Sequence, residues 1–527
     1  MIRPIPFAGW EMLIMRVLFA AILYQAFPQQ IGFDAQPAPL GLARYFDLAW
    51  LGNYETFVWI RRVFNVALIV YATGFGLPVV LPIIAAAFAF SGGLLSSQGY
   101  VGHSHQIVAL IALVQACWYC PTFLVGSGIS LVALWPMREL STGPKLLVIV
   151  LAFAAGWFVW RWMRKRFARR GRSFDRLESE RVSVFLAQQT IVAVYVVSGL
   201  SKVIKSGFFG WISDARYFPI QIVKNQMYDY YNTLETHGVA VVAGNGVGAA
   251  LSRFFETLPD TTQTLMISAP WVASMVLGAG LLLELFTWTA LLSRGAAAIV
   301  GILIVAFHFL NGLIMDLSFP LNKMVVTVYF IQIPFWVVWG FHRFVKKRRD
   351  PVSVPVQGTF SERLRKSLTN CIPLIVLTVL LLTLKENYPF SHFPMYSSFS
   401  KNTYYVYVED KNGDPVPIGR LSSLSTYSLR KIYNRRLKEL QKEYREADPE
   451  YRKRQSEMTL EETEAAAEVA LRSLVLNWSN PDSPEFAQLR PLQLCKVDLF
   501  LENGKIRERI YRYRETDILE EAPVAPE

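Results

Sequence analysis

Long apolar stretches separated by short polar ones make up most of the chain, and the pattern changes near its end. In hydrocarbon a helix must satisfy its own backbone hydrogen bonds, and about 20 mostly apolar residues are needed to cross it. By that criterion the sequence offers eleven spans, near 7–27, 56–73, 77–95, 104–121, 122–135, 144–161, 182–204, 265–290, 295–315, 320–341 and 369–385. The fifth is short, and it reads with the fourth as a re-entrant pair, so nine to eleven crossings are expected. After Lys385 the pattern becomes that of a small α+β domain. The segment 403–408 (TYYVYV) is β-branched and aromatic and leads to the turn signal Asn412-Gly413, the mark of a hairpin. Segments 492–501 and 506–513 flank Asn503-Gly504 as a second hairpin. Between them 427–446 and 459–476 read as helices, the latter opening on a capping box from Thr459 and Glu462.

The expected fold is therefore an all-α polytopic membrane helix bundle over 1–385 with a small extracytoplasmic α+β domain over 386–527, fraying at its Pro/Glu-rich end, 520–527. The Tyr-rich loop 205–264 is expected to lay amphipathic helices on the bilayer and roof a site.

Composition supports this division. The 527 residues are 53% hydrophobic and 18% charged, which does not describe soluble domains. Of 53 Lys+Arg and 41 Asp+Glu, 21 and 24 fall in 386–527, so the first 385 residues carry 32 and 17 and a net charge of +15. The tail carries −3, and the basic excess reads as membrane topology, with the lipid bilayer and no nucleic acid as partner. Cys117, Cys120, Cys371 and Cys495 form neither a disulfide scaffold nor a zinc-type cluster, and no metal is expected. No small-residue cleavage site follows Arg3 and the first apolar stretch, so that segment is expected to be retained.

Lys and Arg gather on the cytoplasmic side of membrane proteins. One run is Arg161, Arg164, Lys165, Arg166, Arg169, Arg170 and Arg172; the other spans Arg343 to Lys366. Four candidate spans separate them, so both lie on one side. Counting outward puts the N-terminus in the cytoplasm and the C-terminal domain outside it.

Polar residues in the spans then become informative, because an ionisable group in hydrocarbon is costly and seeks a partner or cavity. Lys202 lies in Ser198-Gly-Leu-Ser-Lys202, near the outer end of the seventh span, with Trp211 beyond it. His308 and Asn311 share a face of the ninth span, ahead of Asp316, Asn322 and Lys323, and His103 and His105 precede the fourth. An ammonium drawn into an apolar bundle loses solvation and becomes a candidate base. The plain alternatives are a Lys202 that snorkels to the interface and a His308 that makes an interhelical hydrogen bond. Glu284 is the most buried carboxylate candidate, with Arg294 or a histidine as its expected partner. Cys117-x-x-Cys120 inside a membrane helix resembles the pair of quinone-linked thiol oxidoreductases; its alternative is simple packing.

Phe307-His308-Phe-Leu-Asn311, running on to Phe319-Pro320, resembles the FHxxN signature of the vitamin K-dependent γ-glutamyl carboxylases and the horizontally transferred transmembrane (HTTM) family. Ser198-Gly-Leu-Ser-Lys202 with Trp211 is similar to the family's Gly-x-x-Lys segment, Glu284-Leu285 to its Glu-Leu, and Phe393-Pro394-Met395-Tyr396-Ser397 to its FPMxS stretch. The last reads physically as an interfacial anchor. The resemblance covers roughly 10–400 and implies a bacterial inner-membrane protein with an outward-facing intramembrane site, a quinol-dependent carboxylase or epoxidase. It implies a vitamin K-type hydroquinone with O2 and CO2 as cofactors and an extracytoplasmic protein or peptide as substrate. Lys202 would be the hydroquinone base, with His308, Asn311, Trp211, His105 and Glu284 in catalysis or at the pocket. An additional family histidine has no match downstream, where the sequence reads Cys117-Trp-Tyr-Cys120-Pro. The alternatives in other classes are a non-enzymatic membrane scaffold or lipid-binding protein, and the thiol oxidoreductase.

Overall fold

A computed structural model of the chain describes residues 4–29, 39–98, 102–134, 142–168, 176–234, 261–315, 319–341, 359–393, 397–422, 424–453, 455–478, 483–502 and 505–515, with isolated positions between. Helices come first: α1 Gly9–Ala26, α2 Tyr54–Thr73, α3 Leu77–Ser97, α4 His103–Tyr119, α5 Pro121–Leu134, α6 Thr142–Ala168 and α7 Arg176–Ser206. They continue as α8 Phe208–Asp214, α9 Phe218–Thr233, α10 Thr261–Ser268, α11 Pro270–Leu285, α12 Arg294–Met315, α13 Pro320–Val326, α14 Ile333–Gly340, α15 Phe360–Asn370 and α16 Ile372–Leu384. The tail follows with β1 Asn402–Glu409, α17 Ile418–Leu421, α18 Thr426–Ala447, α19 Leu460–Leu476, α20 Pro484–Leu489, β2 Gln493–Glu502 and β3 Lys505–Arg514. The chain forms two compact units. The first is Met1–Phe208, Gly278–Phe309 and Phe319–Ser397; the second is Phe209–Leu277, Leu310–Ser318 and Ser398–Glu527.

Among the described residues seven helices are long and apolar enough to cross a membrane, and ten if bent pairs are counted as single spans. The eleven stretches are bent at three places, the first of them the pair expected to be re-entrant. Stretches 104–121 and 122–135 are α4 and α5, bent by 114°; 265–290 contains α11, bent by 109° from α10; and 369–385 belongs to α15 and α16, bent by 43°. Each second helix has a proline in its first turn, Pro121, Pro270 and Pro373. A proline has no N–H for the preceding ladder and its ring crowds the turn before it, so the helix restarts there in a new direction.

Within the first unit α7 is central: 83% of its apolar window is buried, against 17% for that of α6. Other helices turn large apolar side chains outward, among them Trp59, Ile69, Val79, Ile299 and Val337, each more than half exposed. The segment after α16 folds back on α7. Ser201 donates to the His392 carbonyl (2.5 Å) and Ser206 to that of Ser397 (3.1 Å). This draws Phe393 inside, its ring 5.6 Å from that of His103, so this ring is packed in the protein rather than held at the headgroups as expected. Pro394, Met395 and Tyr396 lie outside the described residues. Before it, the Tyr388 ring lies so close over Gly92 that any Cβ there would overlap it.

The second unit carries a three-stranded antiparallel sheet in the order β1-β2-β3. β1 is the strand expected at 403–408, and β2 and β3 are the expected hairpin, with Val497 opposite Ile510; their turn, Asn503-Gly504, lies outside the described residues. Among the described residues no strand follows β1 directly to make the other hairpin. Gly413 takes φ +87° in the turn, but the returning chain makes only one bridge, Glu409 with Pro415, and β1 pairs with β2 instead. α18 and the capped α19 match their expected limits. In the loop 205–264, α9 packs on β1, stacking Tyr231 on Tyr407 (centroids 4.0 Å apart), and buries Ile220, Ile222 and Tyr228 within this unit. Residues 235–257 and 516–527 lie outside the described residues.

Candidate functional site

α7 carries Tyr195, Ser198 and Lys202 at i, i+3 and i+7, a spacing that sets them on one stripe. Lys202 Nζ is ion-paired with Glu284 Oε2 of α11, and both side chains are only 8% exposed. Ser198 Oγ joins the pair, 3.3 Å from Lys202 Nζ and 3.2 Å from Glu284 Oε1, to which it donates. The helices meet this closely because of Gly199: a Cβ there would come within 2.9 Å of the Leu285 side chain and 3.3 Å of Glu284 Cβ.

The Glu284 partner corrects the sequence reading. Arg294 is taken by Glu11 (2.6 Å) and lies over the Phe335 ring (3.7 Å), leaving Lys202 as the cation for Glu284. Buried charges survive by pairing, since an isolated one would lose its hydration without compensation.

Two turns back along α7 from Lys202, the Tyr195 hydroxyl is 2.6 Å from His308 Nε2 on α12. The Asn322 amide also reaches that hydroxyl from the first turn of α13. Lys202 and Lys323 both lie close enough to His308 to act on it electrostatically. Phe319 packs on the imidazole at 5.0 Å. His308 Nδ1 and Asn322 Oδ1 are buried with no hydrogen-bond partner. Unmade hydrogen bonds at buried polar atoms cost about 1–3 kcal/mol each, so each asks for a reason.

The structure thus gathers Lys202, Glu284 and His308. His105 sits in the first turn of α4, half-buried, with Nδ1 unpartnered and packed over Gly102, while its neighbour His103 bonds Gln106 (2.8 Å). Asn311 and Trp211 fall in segments grouped with the second unit, where the Trp211 ring lies 5.2 Å from that of Phe399. Cys117 closes α4, whereas Cys120 sits at the α4–α5 break; the pair does not lie inside one helix as the sequence suggested, and both thiols are free. Cys495 is packed in β2, where burial pushes its thiol up to about 12. Asp316 lies outside the described residues, as do 169–175 and 344–358 of the basic runs.

Tyr195 and Asn322 were not assigned to the site from sequence. The signal for Tyr195 was its place seven residues before Lys202, two turns down the same stripe. Asn322 was marked only as a polar residue of the turn after the ninth span, and packing is what brings the first turn of α13 to α7. No group of three or more His, Cys, Asp or Glu among the described residues could hold a metal ion. No family model, curated protein or solved structure matches the chain.

Proposed function

We propose that the chain is a multi-pass membrane protein of the HTTM and γ-carboxylase-like type that acts on a quinol at an intramembrane site, its N-terminus cytoplasmic and its C-terminal domain extracytoplasmic. Helices that turn large apolar side chains outward support the membrane placement, since so much apolar surface is stable only in lipid or a protein core.

One observation carries the site. His308 Nδ1 and Asn322 Oδ1 are buried and unpaired around Tyr195, on the stripe that holds the Lys202–Glu284 pair. These atoms suit a hydroxylated apolar ligand. With Tyr195 donating to Nε2, the imidazole carries its proton on Nδ1 and donates to a ligand oxygen, while Asn322 Oδ1 accepts from a ligand hydroxyl. Lys202 passes a proton from Nζ to Glu284 Oε2 within the pair, and the freed amine takes the proton of the ligand hydroxyl. Ser198 holds both partners during that exchange. When bound with O2, a vitamin K-type hydroquinone supplies the strong base for γ-proton removal from a glutamyl side chain, to which CO2 then adds. The apolar surroundings keep water from quenching that base.

The test is purified protein in lipid with a vitamin K-type hydroquinone and O2, following epoxide by chromatography. Wild type forms epoxide, and Lys202→Ala and the charge-free pair Lys202→Met/Glu284→Gln do not. Undiminished epoxidation in either variant removes Lys202 from the mechanism, and none in wild type removes the reaction.

A further inference from the structure

In the first unit α15 carries apolar and basic residues side by side, just where the chain enters its last apolar stretch. The helix opens on a capping box: Thr359 Oγ1 accepts from Glu362 N (3.4 Å), and Glu362 Oε2 accepts from Thr359 N (3.1 Å). The acidic residue of its first turn is thereby committed to the helix end. Its inner side is tied down. Ser367 Oγ accepts from Ile2 N (3.2 Å), Asn370 Nδ2 donates to the Ile2 carbonyl (2.9 Å), and Gln189 Nε2 of α7 donates to the Asn370 carbonyl (2.9 Å). These bonds fix the rotation of α15 and so decide which residues it turns outward.

Leu364 and Leu368 stand one turn apart on the outward side, 48% and 57% exposed. The same stripe runs on across the 43° bend into α16 as Ile372, Ile375, Val376 and Val379, each about half exposed. α16 is 13 residues long, about 20 Å, and cannot alone cross about 30 Å of hydrocarbon, so the end of α15 lies at the membrane boundary. Lipid that covers the α16 stripe therefore covers Leu364 and Leu368 as well. Arg365 and Lys366, both exposed, follow at about 100° and 200° around the helix from Leu364. Apolar residues, then a guanidinium at their margin, then an ammonium facing water is the order of a helix lying among headgroups. A guanidinium at that level matches phosphate oxygens two at a time.

We infer that α15 is a docking surface for the headgroups of anionic phospholipids, with Arg365 as its principal contact. The inference rests on the membrane placement proposed above and not on the reaction at Lys202. Lipid held there steadies the joint at which Gln189 also accepts from Leu374 N (2.9 Å), and through it the buried helix α7.

The experiment is amide hydrogen exchange of the full chain in nanodiscs of phosphatidylcholine, alone or mixed equally with phosphatidylglycerol, read by mass on peptides from α15 and α16. α16 should be protected in both discs; rapid exchange there overturns the membrane placement, and this inference with it. α15 should exchange about five-fold more slowly in the anionic discs for each basic residue engaged, the worth of one such charge beside a negative leaflet. Arg365→Gln should remove most of that difference and Lys366→Gln less, while Leu364→Ser/Leu368→Ser should speed exchange of α15 in both discs. Equal rates for wild-type α15 in the two lipids, with α16 protected, overturn the docking alone and need no variant. A difference that survives Arg365→Gln/Lys366→Gln overturns the assignment of the contact, and unchanged exchange in Leu364→Ser/Leu368→Ser overturns the lipid-facing stripe.

Discussion

Replacing Lys202 by Met keeps the length and apolar stem of the side chain and removes its charge. Glu284 is then left in a position only 8% exposed, with Ser198 as the remaining donor recorded for its carboxylate. Breaking one side of a buried pair in this way costs about 3–5 kcal/mol, most of it the uncompensated charge of the survivor. Glu284→Gln leaves the opposite problem, softened because the amide oxygen still accepts from the ammonium, and about 2–3 kcal/mol is expected. The double variant Lys202→Met/Glu284→Gln removes both charges at nearly constant volume, so it should lie within about 1 kcal/mol of wild type. The coupling between the two positions is then several kcal/mol, well beyond the few tenths seen between independent sites. Reversible unfolding of the four proteins in bicelles, followed by steric trapping, reads the cycle directly. If the double variant is as unstable as the sum of the singles, the two residues do not compensate each other, and the site loses the pair on which its proton transfer depends.

Two further outcomes follow from particular contacts. Gly199→Val should destabilise the first unit by about 1–3 kcal/mol and weaken the Lys202–Glu284 coupling, since even its Cβ meets the Leu285 side chain at 2.9 Å; unchanged stability by the same unfolding assay would mean the two helices do not meet there. At Glu409 burial disfavours the carboxylate, but hydrogen bonds from Arg512, Tyr407 and Cys495 outweigh it and hold the carboxyl below its ordinary value. A depressed folded value gives stability that is complete above the unfolded value of about 4.3 and is lost as pH falls through the folded one. Hydrogen exchange in β1–β3, corrected for intrinsic rates, should therefore lose protection between about pH 5 and pH 3 in wild type and lose less in Glu409→Gln; equal loss in both would assign the acid sensitivity elsewhere.

How far the site could be read in advance depended on whether a residue's environment follows from its own helix. Lys202 and His308 stood out because a polar group inside an apolar stretch is costly wherever it points, and both are buried. Partner choice was not legible. Arg294 is ten residues from Glu284 and looked like its natural cation, yet it is paired with Glu11 across 283 residues of sequence. The sheet pairing of β1 failed for the same reason, since Asn412-Gly413 marks a turn but does not say which strand lies beside β1. The bends at Pro121, Pro270 and Pro373 were written in the chain, but a count of apolar residues does not register the direction in which a helix restarts.

The polar residues of α7 divide into two kinds by what they meet. Gln189 donates to the Asn370 carbonyl (2.9 Å) and accepts from Leu374 N (2.9 Å), bridging the bend between α15 and α16. Gln188 likewise serves the Tyr329 carbonyl at the α13–α14 break. These amides repair backbone that broken helices leave exposed, and a bundle with several such breaks needs them on a deeply buried helix. Tyr195 and Lys202 meet side chains instead, and around them His308 Nδ1 and Asn322 Oδ1 are left over. Repair alone gives no reason for a buried ion pair and two unpaired atoms at one end of the stripe, because Leu or Phe at those positions would pack without cost. An unpaired atom alone does not make a site, since Gln188 Oε1 is unpaired too; a buried ion pair beside two such atoms is what separates a ligand site from structural glue. Substituting Gln189 should therefore cost stability alone, whereas substituting Tyr195 or Asn322 should cost binding out of proportion to stability.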